Sequence, residues 1–336
     1  MSKSKILVVG GTGYVGKRIV KASLAQGHPT YILMRREIGF DIEKVQMLLS
    51  FKKQGARLVE GSFSDHQSLV DAVKQVDVVI CTISGVLYRS HNILLQLKLI
   101  DAIKDAGNIK VLYIMCLLNM LLVRYKSFNN VFLKQRFLPS EFGMDLSRMG
   151  HALDLGQETF DKMIIRKAIE EAGIPYTYIS ANCLGGYFVQ NLSQLDSLMP
   201  PKDRVYIYGD GNRKVVFNDE DDVATYTVRT FDDPRMLNKT LYLRPQENIL
   251  THNQLVEKWE KLTNKTLEKV HISAQDFLAS MKDVDIALQG AFMRIYHIYY
   301  EGCLMNFEIG EGGGEASKLY PDVRYTRVHE YLQRDL

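Results

Sequence analysis

Hydrophobic and polar positions follow two alternating periods along the first half of the chain. Lys5 to Val9 is a short β-branched run that stops at Gly10, and Tyr14 to Gln26 carries apolar residues at helical spacing until Gly27. The unit repeats as strand Thr30 to Met34 with helix Asp41 to Gln54, strand Arg57 to Glu60 with helix Asp65 to Val76, and strand Asp77 to Thr82 with helix Ser90 to Ala106. Such alternation predicts an α/β fold, a Rossmann-type doubly wound parallel sheet with helices on both faces. From about Leu184 the regularity fades into turns, aromatics and isolated helices such as Asn253 to Leu262. The expected division is therefore a first domain over 1–183 and a smaller C-terminal α/β domain over 184–336, which is mainly substrate-binding.

One stretch breaks the pattern. Ile109 to Arg124 is the most apolar run in the chain, yet Val111 to Val123 falls short of the roughly 20 residues of a bilayer span and contains Asn119. Val111 to Cys116 competes with Arg136 to Pro139 for the slot of the fifth strand, and only the latter delivers the following Ser-Glu-Phe-Gly to the carboxyl end of a sheet.

Composition narrows the classes. With 336 residues, 46% hydrophobic and 24% charged, the chain is an ordinary globular one, and a net charge of +3 without a basic block implies neither nucleic acid nor an anionic membrane as partner. Cys81, Cys116, Cys183 and Cys303 lack metal-ligand spacing and read as reduced thiols. The N-terminal apolar run is too short for a signal peptide, so a cytoplasmic protein acting on a small molecule is expected, with no metal.

The chemistry begins at Gly10-Gly11-Thr12-Gly13-Tyr14-Val15-Gly16. Gly10, Gly13 and Gly16 form GxxGxxG between a strand and the helix it opens, where glycines permit a tight turn, close approach of backbone N–H groups to a pyrophosphate, and close helix packing. After the second strand, a carboxylate would accept a ribose 2′-hydroxyl; here stand Arg35 and Arg36, with Lys44 on the next helix, and cations suit a 2′-phosphate. NADPH is the expected cofactor, against the plainer reading of these cations as solvated surface charges.

Further on, Glu158 to Gly173 predicts a helix with Phe160, Ile164, Ile165, Ala168 and Ile169 on its core stripe and Lys162, Arg166 and Glu170 on the opposite flank. It follows the fifth strand, which brings its first turns toward the ligand-binding ends of the strands. No Tyr is followed four positions later by Lys, so the usual short-chain dehydrogenase pair is excluded.

Several long segments, GGTGYVG, DIEKVQMLLSFKKQGARLVEGSFSDH, RFLPSEFGMD, KAIEEAGIPYTY, YGDGNRKVVFNDEDDVATYT, DDPRMLNKTLYLRP and YEGCLMNFEIG, together resemble the plant isoflavone reductase-like (NmrA-type) group of atypical short-chain dehydrogenases, and within it the pinoresinol/lariciresinol reductases. The resemblance spans nearly the whole chain. It implies NADPH-dependent reduction of furofuran and furan lignans, pinoresinol to lariciresinol and lariciresinol to secoisolariciresinol, by a homodimer. It also implies Lys162 as the catalytic base, Arg166 as a cofactor contact, and substrate contacts at Arg294 and His297. Loss of a para phenolic proton lets the ring expel the benzylic ether oxygen as a quinone methide, whose benzylic carbon accepts hydride. An amine serves as that base where burial or a neighbouring cation such as Arg166 disfavours its charged form.

Departures from the group accompany the resemblance. Thr159-Phe160-Asp161-Lys162-Met163 is one residue shorter than the group's T-F-D-x-K-M, Arg35-Arg36-Glu37 replaces Arg-Pro-Glu, and Arg294 in Met293-Arg294-Ile295-Tyr296-His297 replaces a histidine. His297 keeps its place, although a lone histidine there is more often a satisfied core residue than a ligand. Val111 to Gln135 interrupts a join that the group makes directly from Lys110 to Arg136, and the expected origin is a retained intron, since valine codons begin GT and a glutamine codon is CAG. Phenylcoumaran benzylic ether or isoflavone reduction, a non-catalytic NADP(H) sensor, and an inactive misspliced product stay open as alternatives.

Overall fold

The computed structural model describes residues 3–83, 91–106, 135–149, 157–195, 197, 199–281 and 286–336. The expected strand Val111 to Cys116 and residues 111–134 of the insertion lie outside them. Two units form the chain. The first comprises 1–140, 161–178 and 227–238, and the second 141–160, 179–226 and 239–336.

In the first unit, strands β1 (Ile6–Val9), β2 (Thr30–Met34), β3 (Arg57–Glu60), β4 (Val78–Cys81) and β5 (Arg136–Leu138) form one parallel sheet in the order β3-β2-β1-β4-β5. β1 sits at its centre, paired with both β2 and β4, and its four residues are buried. A continuous apolar run is what a strand covered on both faces requires. Helices α1 (Gly16–Ala25), α2 (Ile42–Lys53), α3 (His66–Val73) and α4 (Gln96–Asp105) follow β1 to β4; the first three lie within a few residues of their expected bounds, whereas α4, expected from Ser90, starts only at Gln96 behind a 3₁₀ turn over His91–Leu95. Asp41 and Asp65 cap α2 and α3 by accepting Lys44 N and Ser68 N. A 3₁₀ turn over Arg36–Phe40, which periodicity does not announce, precedes α2.

Gln135, the last residue of the expected insertion, is buried and donates from Nε2 to Val73 O at 2.5 Å and Val76 O at 2.9 Å. Arg136 reaches the Thr230 and Asp233 carbonyls, tying the segment Thr227–Asn238 to β5. Helix α5 (Gln157–Glu171) buries Asp161, Ile165 and Ile169 at four-residue spacing, and the two isoleucines share a core cluster with Val9, Cys81 and Phe137 among others. Each isoleucine contributes roughly 1.5–3 kcal/mol on burial. The expected stripe needs one correction. Ile164 is 46% exposed beside Met163 at 49%, because the helix is rotated to bury Asp161 instead; the side chain of Phe160 lies outside the described ones.

The second unit is also α/β. It holds the sheets β13-β10-β6, β11-β9-β7 and β12-β8. Their strands are β6 (Thr177–Ser180, its second half lying in this unit), β7 (Cys183–Leu184), β8 (Arg204–Tyr208), β9 (Lys214–Asn218), β10 (Lys239–Tyr242), β11 (Ile249–Thr251), β12 (Glu268–Ile272) and β13 (Gly313–Glu315). Its core gathers Tyr208, Phe217, Trp259, Phe277 and Tyr299. The helix expected over Asn253 to Leu262 runs His252–Thr263 behind a Thr251 capping box. No helix among the described residues is long and apolar enough to cross a membrane.

Candidate functional site

In a sheet of this order, β1 is followed by a neighbour on one side and later flanked by β4 on the other. The crevice beyond the carboxyl ends of β1 and β4 is where such sheets bind ligands. Gly10 ends β1 with φ +85°, a conformation that glycine adopts without strain. Its carbonyl accepts Gly13 N at 2.9 Å. A Cβ on Gly16 would stand 2.0 Å from that same carbonyl oxygen and 2.6 Å from Thr82 Oγ1, so no side chain fits there. A Cβ on Gly11 would stand 2.8 Å from the Ile32 side chain.

Thr82, at the end of β4, secures the turn: its N–H donates to Val9 O at 2.9 Å, and its hydroxyl donates to Val9 O at 2.9 Å with Gly10 O at 3.1 Å. Sequence reasoning missed Thr82, although its place just beyond a buried strand was visible. Helix α1 then starts at Gly16 with Val15 at its N-cap, no capping side chain and no acidic residue in its first turn. A first turn without a capping side chain or an acidic residue suits a phosphate. Tyr14 is 38% exposed and carries the Arg18 guanidinium 4.3 Å over its ring, with Arg18 Nη1 donating to Tyr14 O at 2.7 Å. Thr12 and Gly13 lie in this turn.

The cations expected at the 2′-phosphate differ in their engagement. Arg35 is exposed and forms no ion pair among the described residues, whereas Arg36 pairs with Glu60. Lys44 is held by Asp41 at 2.5 Å, and that hydrogen bond keeps the Asp41 carboxyl below its ordinary value. Arg35 is thus the guanidinium most available to an anion.

Across β4 and β5, buried Gln96 accepts Ser140 N at 2.8 Å, and Ser140 Oγ donates to Ile83 O at 2.6 Å. The strand ends are pinned together. On α5, Lys162 and Arg166 are partly buried and one turn apart, as expected. Arg166 lies 4.5 Å over the Tyr178 ring, whose hydroxyl donates to Glu170 at 3.1 Å; burial, then the Glu170 carboxylate, pushes that phenol above its ordinary range. A separate cleft of about 400 Å³ between α3 and α4, lined by His66, Lys98, Asp101 and Asp105 among others, contains none of the expected site residues.

In the second unit, helix Ile286–Tyr296 carries partly buried Arg294 in its last turn and widens into a π turn, His297–Glu301, closed by Gly302 at φ +73°. π turns of this kind recur at functional positions. His297 is fully buried, with Nδ1 2.6 Å from Glu301 Oε2, while Nε2 is buried without a hydrogen-bond partner among the described residues. His252, equally buried, has both nitrogens engaged: Nε2 with Leu192 O at 3.0 Å and Nδ1 with Tyr208 N at 3.5 Å. The core reading of a lone histidine therefore describes His252 and only half of His297.

The chain is similar to known proteins along nearly its whole length. The sequence profile of the NmrA-like family matches residues 2–116 and 134–332, skipping most of the expected insertion. An isoflavone reductase homolog from Lupinus albus is 65% identical over 334 residues, covering 99% of both chains. A bifunctional pinoresinol-lariciresinol reductase from Linum usitatissimum is 61% identical over 335 residues, again with 99% of both chains covered. The solved structure of AtPrR2 with NADP+ and (+)pinoresinol superposes with a TM-score of 0.88 at 57% identity, covering 100% of each chain.

Proposed function

The chain belongs to the NmrA-like family, and we propose that it is an NADPH-dependent reductase of lignan benzylic ethers, converting pinoresinol to lariciresinol and lariciresinol to secoisolariciresinol. The observation that carries this reading is the end-to-end match to AtPrR2, a structure holding NADP+ and (+)pinoresinol. The side-chain-free turn before α1 supports the cofactor half.

In this reading, residues 1–183 form the nucleotide domain and 184–336 mainly the lignan-binding one. The backbone donors from Gly10 to Gly16 hold the pyrophosphate, and Arg35, with Lys44 and Arg166, meets the remaining anionic parts of the nucleotide. NADPH, when bound, supplies the hydride that the benzylic carbon accepts. Lys162 Nζ takes the para phenolic proton. The phenolate electron pair moves through the ring, the benzylic C–O bond breaks, and the ether oxygen leaves with the bonding pair and takes a proton from solvent to become an alcohol. Once the benzylic carbon is saturated, the ring is aromatic again and its phenolate recovers a proton from the Lys162 ammonium. Exposed Met163 and Ile164 next to Lys162 offer an apolar surface suited to an aromatic ligand. Arg294 and His297 contact the lignan from the second domain's own residues.

The same reading carries a cytoplasmic homodimer, which light scattering and cell fractionation check. It also carries residues 111–135 as a translated intron; a transcript lacking them supports this, and a genomic exon without GT and AG borders overturns it.

The test is incubation of the purified chain with NADPH and racemic pinoresinol, with products resolved by chiral chromatography. Lariciresinol is expected. The Lupinus relative's name makes isoflavones the control substrate, and exclusive turnover of an isoflavone, or of neither, overturns the proposal.

A further inference from the structure

Asp219, Glu220 and Asp222, at the start of helix Glu220–Arg229, hold residues 326–336, all within the second unit. We infer that these carboxylates form a clasp on that segment which is tight in acid and loosens as pH rises to neutrality. Its working does not depend on which reaction the chain catalyses.

Each carboxylate grips a different point. Buried Asp219 forms an ion pair with Arg334 Nη1 at 2.5 Å. Glu220, also buried, accepts the Tyr331 hydroxyl at 3.2 Å on one oxygen and Gly186 N at 2.8 Å on the other. The Tyr331 ring packs so closely on Gly185 that a Cβ there would stand 2.4 Å from it. Asp222 accepts Thr326 N at 2.6 Å. Asn248 adds neutral support, donating to Thr326 O at 2.9 Å and accepting Val328 N at 3.1 Å.

The half-exposed Arg334 guanidinium faces two carboxylates, Asp219 and Asp222, and the charges are unevenly matched. Burial, with the Asp219 carboxylate, pushes the Asp222 carboxyl from 3.8 up to about 7, against the Thr326 N–H and Arg334, which favour its charged form. On the same helix the Tyr226 phenol is raised by its own burial and then by Asp222, and exposed Asp221 acts on Arg334. Arg327 is turned elsewhere, to Glu247 at 2.7 Å and Glu330 at 3.8 Å. Release of residues 326–336 would hydrate Asp222 and return it toward its ordinary value, so the closed form binds the proton more tightly. Closure is therefore favoured in acid; opening grows as pH rises from about 4 to about 7 and levels off above.

The test is hydrogen exchange of the full-length chain, followed at the Thr326 and Tyr331 amides and corrected for the intrinsic pH dependence of exchange. Their protection should lie below that of the β1 amides, the mark of local opening, and should fall about tenfold between about pH 6 and about pH 8. Asp222→Asn, which keeps an oxygen for the Thr326 N–H but carries no charge, should hold protection within about twofold over that range. Should that variant fail to fold, Arg334→Gln takes its place: without the guanidinium the charged carboxylate is less favoured, so protection should go on falling to a higher pH than in the wild type before it levels off. Constant protection in the wild type, an equal fall in Asp222→Asn, protection equal to that of β1, or an unmoved levelling point in Arg334→Gln overturns the inference.

Discussion

The turn after β1 and the turn at His297 are both closely packed, and they differ in how completely their polar groups are satisfied. In the first, space is filled: Gly10 O receives Gly13 N, Thr82 crowds the same carbonyl, and even a methyl at position 16 has nowhere to go. Under the proposed function recognition there belongs to the backbone, since no side chain fits at position 16. In the second, space is filled but valence is not, because His297 Nε2 is enclosed with no partner among the described residues. A nucleotide common to many enzymes suits the rigid backbone cradle.

Gly16→Ala should produce the largest change. Its Cβ would meet Gly10 O at 2.0 Å, so the variant should lose about 3 kcal/mol of stability, and nucleotide binding with it. Thermal unfolding with and without NADPH checks this, and a stable variant that binds NADPH normally would remove the filled-space side of the contrast.

Next in size is the pH response of His252. Burial lowers its pKa to about 4 from the ordinary 6.5. The unfolded chain binds the proton first, so the stability tied to the neutral ring is complete above about pH 6.5 and is lost as pH falls toward 4, by roughly 3 kcal/mol. Unfolding of wild type and His252→Asn across that window should show the stability difference shrinking in acid; a constant difference would mean that the ring is not held neutral by burial.

Smaller again is Arg35→Ala. The residue is exposed, so its charge is screened, and the expected rise in the Kd of NADPH is about tenfold with NADH unaffected. Equal weakening of both nucleotides would assign Arg35 to something other than the 2′-phosphate.

The least effect on catalysis is expected from deleting residues 111–135. Turnover per folded molecule should stay within about twofold, while soluble yield rises, because an apolar run of that kind favours aggregation. Removal of Gln135 costs two hydrogen bonds to the end of α3, which Lys110 must replace at the join. Expression of both forms side by side decides it, and equal soluble yield contradicts the expectation.

Most of the first unit was legible in the sequence because its information is local. Period and punctuation by glycine mark β1 to β4 and their helices, and Asp41 with Lys44 is a pair three residues apart. What escaped depends on closure across distance. Thr82 matters through a carbonyl more than seventy positions away in sequence. The rotation of α5 that exposes Ile164 and buries Asp161 follows from the surface it packs on, which no periodicity encodes. Glu301 left a trace, four residues after His297, yet that spacing acquires meaning only once the neighbouring nitrogen is seen to be bare.

The central claim is that the amine at position 162 removes the phenolic proton. Lys162→Ala, assayed with saturating NADPH and pinoresinol and with NADPH affinity measured alongside, tests it most directly. The account predicts turnover reduced by on the order of a hundredfold or more while the Kd of NADPH stays within about twofold. Turnover at the wild-type rate would contradict it.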